Sequence, residues 1–373
     1  MYIIIAYLFF PNYPVKAEDK MVIMMNVSFR QIILLYCLQK LNGERTIYSI
    51  YHLLQGKKSS QTIQDAHLFQ LSAFFHTDTN ITRQQIADHA HELKRNSLIA
   101  ETLDQHFILT AEGERVLKRG LSISPVPSYL NGWKYGRAGL LLWERLSLAV
   151  QVLSHLQHRE TKYIPVQRRP ETLLWVKEFV QTYGLNRKDL SENLYTELTS
   201  LLESGLNIDP NLLVVRLSGC GRIGLTEIQA AQEMKMDPVH YHYQFLNIIH
   251  YLALRIEEDH FPIMSAFLER ETDILLTKST EKTYTLLKDG HSLDDIIHIR
   301  RLKPSTIEDH IVELALNIPQ FSIAEYVNAK KQRQIKEAIK AANTKQLREI
   351  RKYAPEASYF EIRIVLAKFG DNS

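Results

Sequence analysis

Apolar residues recur at every third and fourth position along most of this chain, and alternation is confined to one short segment. The first rhythm predicts helices and the second predicts strands. The expected fold class is therefore mainly α, with several helix-turn-helix and winged-helix modules in series and one or two small β-wings. Phe29, Ile32, Ile33, Tyr36, Cys37 and Leu41 form one helical stripe, closed by Asn42-Gly43. Thr46 begins a second helix carrying Ile50, Leu53 and Leu54, which Gly56-Lys57-Lys58-Ser59-Ser60 breaks. Thr62 to Phe75 predicts a further amphipathic helix. Two short helices, Thr82 to Ala90 and His91 to Leu98, then precede strands over Ile99 to Leu103 and Phe107 to Thr110, and helix resumes to Leu117. That order is a winged helix, a module that either binds DNA or docks proteins, and these residues do not choose between the two.

The middle of the chain continues the helical rhythm. Ser122 to Gly139 holds Pro125, Pro127, Gly132, Gly136 and Gly139 and is expected to be the main linker, with Trp133 and Tyr135 packing it onto something. Helices are expected over Leu140 to Leu156, Leu173 to Tyr183, Leu190 to Leu202 and Tyr241 to Leu254, with Lys162 to Arg169 irregular and basic. Gly219-Cys-Gly221-Arg-Ile-Gly224 fits the dinucleotide fingerprint letter for letter. That fingerprint needs a βαβ unit, whereas here Thr226 and Gln229 stand in capping-box register at the start of a helix. The segment therefore predicts a second helix-turn-helix and no nucleotide site. His240 and His242 lie on different helix faces, and no carboxylate or cysteine completes a metal set with them and His250.

The sharpest pattern lies further on. Ser292 suits an N-cap with Asp295 three residues later, and Leu293, Ile296 and Ile297 form an apolar stripe. Arg300 to Lys303 lack that rhythm. Pro304 suits the first position of a new helix, on which Ile307, Ile311 and Leu314 repeat the stripe. Two short helices around a tight turn make a helix-turn-helix. Beyond it the chain turns basic: Ser322 to Glu325 reads as a capping box opening a helix to about Asn343, Thr344 caps a short helix that Pro355 ends, and Ser358 with Glu361 caps the last. From Glu325 to Lys352 there are nine Lys or Arg against three acids, on a chain whose net charge is only +3. A basic footprint must be local.

The 373 residues suffice for two or three cores. The boundaries expected are 26–121, 122–278 and 279–373, with 1–25 an over-extended start (Met21, Met24 or Met25 being alternative initiators) or a disordered one. The apolar Met1 to Phe10 is too short to span a bilayer and no basic residue precedes it. Two solitary cysteines, Cys37 and Cys220, fit a reducing cytoplasm. Gly56-Lys57-Lys58-Ser59 is no phosphate loop, because Tyr51 stands where the first glycine belongs. No catalytic motif emerges, so neither an enzyme nor a cofactor is expected.

Gly290, Ser292, Ile296, Arg300, Leu302, Thr306, Ile307 and His310, followed by the basic tail, resemble the helicase-associated helix-turn-helix domain. That domain ends some RecQ-type DNA helicases and also occurs in stand-alone proteins of Bacillus relatives, which Leu41 to Leu71 resembles as well. The resemblance implies a DNA-binding companion of a RecQ-type helicase in repair or recombination, cytoplasmic and nucleoid-associated. It does not imply a helicase. The contacts expected with DNA are Arg300, Arg301, Lys303, Ser305, Thr306 and His310 at the turn. Lys330, Arg333, Lys336 and Lys340 would give electrostatic support. Glu308, Asp309 and Glu313 on the second helix would repel phosphates, which favours backbone-led over groove-led binding. Two other readings stay open: an adaptor that docks proteins without touching DNA, and a transcription regulator, for which no dimerisation heptad is visible.

Overall fold

The computed structural model describes residues 27–183, 187–269 and 276–370; the expected over-extended or disordered start lies outside them. The fold is mainly α. In chain order the helices are α1 (Phe29–Leu41), α2 (Tyr48–Leu54), α3 (Ser60–Leu68) and α4 (Arg83–Arg95), then β1 (Ile99–Leu103) and β2 (His106–Leu109). There follow α5 (Ala111–Ile123), α6 (Gly132–Gln157), α7 (Pro170–Tyr183), α8 (Arg187–Glu203), α9 (Glu227–Glu233) and α10 (Pro238–Glu258). The last are α11 (Lys278–Lys288), α12 (Leu293–Arg300), α13 (Pro304–Asn317), α14 (Ala329–Ala342), α15 (Leu347–Tyr353) and α16 (Tyr359–Phe369). None of the described helices is long and apolar enough to cross a membrane.

These elements do not form three modules in series. They pack as two units, each built from two separate stretches: residues 27–33 with 115–269, and residues 34–114 with 276–370.

In the first unit α6 and α10 pack side by side around a large apolar core. Gly139 permits their close approach, since a Cβ there would stand 3.0 Å from Ile249. The expected linker is shorter than its glycines suggested. Asn131 caps Lys134 N, so α6 begins at Gly132, and Gly136 and Gly139 lie inside the helix. The preceding strap is tied to α10: Tyr129 N donates to Asn247 Oδ1 (2.8 Å) and Asn131 N to His250 Nδ1 (3.1 Å). Tyr135 is buried, as its placement in that segment suggested. Where a dinucleotide site would need a strand, the chain makes one helical turn, Asn211–Val214, and a tight bridge between Gly219 and Arg222. Thr226 and Gln229 do form their capping box.

The second unit contains the wing. β1 and β2 are antiparallel, and a bridge from Thr46 to His106 adds a third short rung. Thr82 and Gln85 cap one continuous α4, not two short helices, because nothing near Ala90 breaks it. The expected helix to Phe75 stops at Leu68; Gln70 takes positive φ and only a 3-10 turn, Ser72–Phe74, follows. At the centre of the unit α13 packs against α3, α11, α12 and α16. Arg363 on α16 donates to Ser60 Oγ and Asp309 Oδ1 (both 2.6 Å), and Lys345 N donates to Glu44 (2.7 Å).

Candidate nucleic-acid interface

The helix-turn-helix forms where its residues predict it. Ser292 Oγ accepts from Asp295 N (3.2 Å) while Asp295 Oδ2 accepts from Ser292 N (3.1 Å). Hydrogen bonds from the Ser292 hydroxyl and then its backbone hold the Asp295 carboxyl below the usual range. Ile296 is buried, and α12 ends at Arg301 in the left-handed region (φ 51°), with Leu302 N closing back on Ile297 O at 3.3 Å. Pro304 then opens α13 at a position whose missing N–H has no helical partner to lose.

The expected contacts divide in two. Arg301, Lys303 and Ser305 are exposed at the turn, and Thr306 is half-buried. Arg300 and His310 are turned inward and do not join them. The Arg300 guanidinium donates to Thr283 Oγ1 (2.7 Å), to Ser279 Oγ (3.2 Å) and to the Ser279 carbonyl. His310 is buried, its Nδ1 2.8 Å from the same Thr283 hydroxyl. Burial first, and the Arg300 charge second, push the imidazole down to about 4. The buried His310 is closed to a base edge, and the half-buried Arg300 is committed to Thr283 and Ser279.

The acids also differ from their expected role. Glu313 is buried and accepts from Thr277 N, Thr277 Oγ1 and Thr280 Oγ1, so it caps α11 from within and burial raises its carboxyl. Asp309 is paired with Arg363. Of the three carboxylates expected to repel phosphate, only the half-buried Glu308 has no such partner among the described residues. Yet α13 offers little face to a groove: Ile307 and all six residues from His310 to Ala315 are buried, which is burial on nearly every side.

The basic tail supplies the accessible charge. Its long helix starts at Ala329, capped by Asn328 onto Lys331 N, and not at Ser322. Ser322 Oγ accepts from Ala324 N in a turn instead, with Ile323 and Val327 anchored in the core. On α14, Ile335 and Ala338 face inward while Lys330, Arg333 and Lys340 are exposed on the opposite arc. Glu337 shares that arc at helical spacing and reduces its charge. The Lys336 ammonium lies 3.2 Å above the centre of the Phe369 ring, so its charge is engaged there. Others of the nine cations are engaged too: Lys331 with Glu361 (2.6 Å), Lys352 with Glu349 (2.5 Å), Arg351 over Tyr359, and Lys345 with the Leu68 carbonyl. Thr344 caps no helix: its hydroxyl takes Gln346 N, and α15 begins at Leu347 without a side-chain cap. Arg348, outside the expected contact set, is exposed on α15; its signal was the basic run from Lys345 to Lys352.

Among the described residues no group of three or more His, Cys, Asp or Glu is arranged to hold a metal. His242 pairs with Glu227 (2.9 Å), and His250 is buried as the acceptor described above. Burial pushes the Cys37 thiol up, out of the reactive range.

Residues 279–366 match a helix-turn-helix domain family. The chain is 37% identical over 347 residues to Protein YpbB of Bacillus subtilis (strain 168), an alignment covering 92% of this chain and 98% of that one. No solved structure matches.

Proposed function

Since the chain belongs to the YpbB family, we propose that it is a non-enzymatic DNA-binding protein that assists a RecQ-type DNA helicase in repair or recombination at the nucleoid. The observation that carries the DNA half is the exposed arc of Lys330, Arg333 and Lys340 within the matched helix-turn-helix region. Arg301, Lys303 and Ser305 at the turn add a second cluster of exposed donors. Side chains of this kind bind phosphate oxygens irrespective of sequence. The closed packing of α13 argues against major-groove reading, so the mode proposed is backbone-led, with Thr306 at its margin and Lys336 held on Phe369 as a fixed charge. The helicase half rests on the resemblance of Gly290 through His310 to domains that end such helicases.

The test is fluorescence anisotropy of labelled duplex, fork and single strand over a salt series, with and without the RecQ-type helicase. Wild-type binding should weaken steeply with salt, at a slope of about −0.9 per phosphate neutralised. Reversing Lys330, Arg333 and Lys340 to Glu should flatten that slope by roughly 2 to 3 without changing the circular dichroism. Failure to retain any DNA at low salt, alone and beside the helicase, ends this reading. Retention only beside the helicase replaces it with that of a protein-docking adaptor.

A further inference from the structure

The Gly56-Lys57-Lys58-Ser59 turn, which is no nucleoside-triphosphate loop, borders a cavity of about 570 Å³ between α2, α3 and the start of α4. We propose that this cavity binds a phosphate monoester, carried either by the end of a nucleic-acid strand or by a free nucleotide. The volume is that of a small-ligand site.

The charges facing the cavity are the first argument. Two acids line it: Asp65 is ion-paired, while Glu44 is hydrogen-bonded but in no ion pair among the described residues. Asp65 accepts two hydrogen bonds from Arg45 Nε (both 3.0 Å) and one from Gln61 (2.9 Å), and Glu44 accepts Lys345 N (2.7 Å). That leaves Lys57 and Arg83, both exposed and in no ion pair among the described residues. Arg83 is held 3.7 Å above the Tyr48 ring, which fixes its plane. His52, also on the wall, is held below its ordinary value by burial first, then by the charges of Lys57 and Arg83, so both cations act on one space.

Two further observations concern construction. Ser49 Oγ is buried on the cavity wall with no hydrogen-bond partner among the described residues. The turn itself is closed: Gly56 takes φ +70°, and a Cβ there would lie 2.4 Å from the His76 ring. Lys57 N then donates to His52 O and His76 N to Leu53 O (2.9 and 3.0 Å), which fixes the backbone that carries Lys57. The amino end of α3 adds partial positive charge beside them. A phosphate monoester carries a charge of about −1.5 to −2 at neutral pH, and Lys57, Arg83 and the amino end of α3 are the positive groups that would face it, with Glu44 offsetting part of their charge.

The proposal shares only its strand-end arm with the DNA-binding reading. Titration calorimetry of the full chain with AMP, inorganic phosphate and adenosine is the first test. AMP should bind, phosphate should compete for the same site, and adenosine should bind about tenfold more weakly or worse. Anisotropy with single strands bearing a 5′-phosphate or a 5′-hydroxyl separates the sources: preference for the phosphorylated end assigns the site to strand ends, and AMP binding without it assigns free nucleotide. Lys57→Glu with Arg83→Glu, and the milder pair Lys57→Gln with Arg83→Gln, should each lose AMP binding by about tenfold or more while keeping the wild-type melting temperature. Equal affinity for AMP and adenosine, no affinity for either, or full AMP affinity in both double variants overturns the proposal. Duplex retention that survives these variants but fails on reversal of Lys330, Arg333 and Lys340 shows the two surfaces to be independent, so either reading can fall alone.

Discussion

The Thr283 hydroxyl has one proton and two neighbours. Arg300 Nη1 can only donate to it, so its own proton points at His310 Nδ1, which must accept. His310 is thereby held neutral, with its hydrogen on Nε2, as burial also requires. Its folded value of about 4 lies below the ordinary 6.5, so the unfolded chain binds the extra proton first. The stabilisation is complete above about pH 6.5 and is lost as the pH falls towards 4, on the order of 3 kcal/mol for such a shift. Urea unfolding at stepped pH should show that loss, and His310→Gln should remove this residue's share of the slope. A slope unchanged by His310→Gln would refute the hydrogen-bond chain. His250 in the other unit, pushed down to about 3 by burial, titrates over an overlapping window, so the comparison with the variant is needed. The inward placement of both residues was legible in the spacing. His310 stands three after Ile307 and just before Ile311, on the apolar stripe, and Arg300 stands four after Ile296. Side-chain chemistry made them look like contacts; helical position put His310 in the core and turned the half-buried Arg300 onto Ser279 and Thr283.

At the scale of elements, capping boxes separate into true and false ones. Thr82, Thr226, Ser292 and Ser358 each open a helix with the partner three residues on. Ser322 with Glu325 has the same lettering and opens none: the chain makes a single turn between the buried Ile323 and Val327, and Asn328 is the cap of the helix that follows. The lettering records only local hydrogen-bonding capacity, and tertiary burial decides between candidates. Asn328→Ala should therefore cost about 1 kcal/mol in urea unfolding, and Ser322→Ala only a few tenths. Equal costs at the two positions would put the start of α14 back at Ser322. The turn offers a related contrast. Arg301 adopts a left-handed conformation that costs a non-glycine residue roughly 1 kcal/mol. Arg301→Gly should leave stability unchanged or slightly raised while DNA retention falls; a parallel loss of both would make Arg301 a structural residue only.

At the scale of the whole chain, periodicity reports which face of an element is buried but not against what, and so it suggested modules in sequence order. The hidden information is long-range: Arg363 reaching Ser60 and Asp309, Gln64 reaching the Arg363 carbonyl, and Lys345 engaging Glu44 and the Leu68 carbonyl. No local pattern marks such pairings, and α13, which looks like a free recognition helix in the sequence, becomes the centre of a unit once α3 lies on it. The expected consequence is that the region matching the helix-turn-helix family does not fold on its own. A fragment of residues 276–373 alone would expose the apolar face that α3 covers and strand the Arg363 guanidinium beside Asp309 without its Ser60 partner. It should therefore unfold at low urea or self-associate, and gain helicity and a cooperative transition when a fragment of residues 34–114 is added. In the intact chain, Arg363→Ala should destabilise by about 1 to 3 kcal/mol, because Asp309 and the Gln64 amide lose a charged donor together. A 276–373 fragment that stays monomeric and unfolds cooperatively at the midpoint of the full chain would refute the discontinuous unit and restore a self-sufficient C-terminal domain.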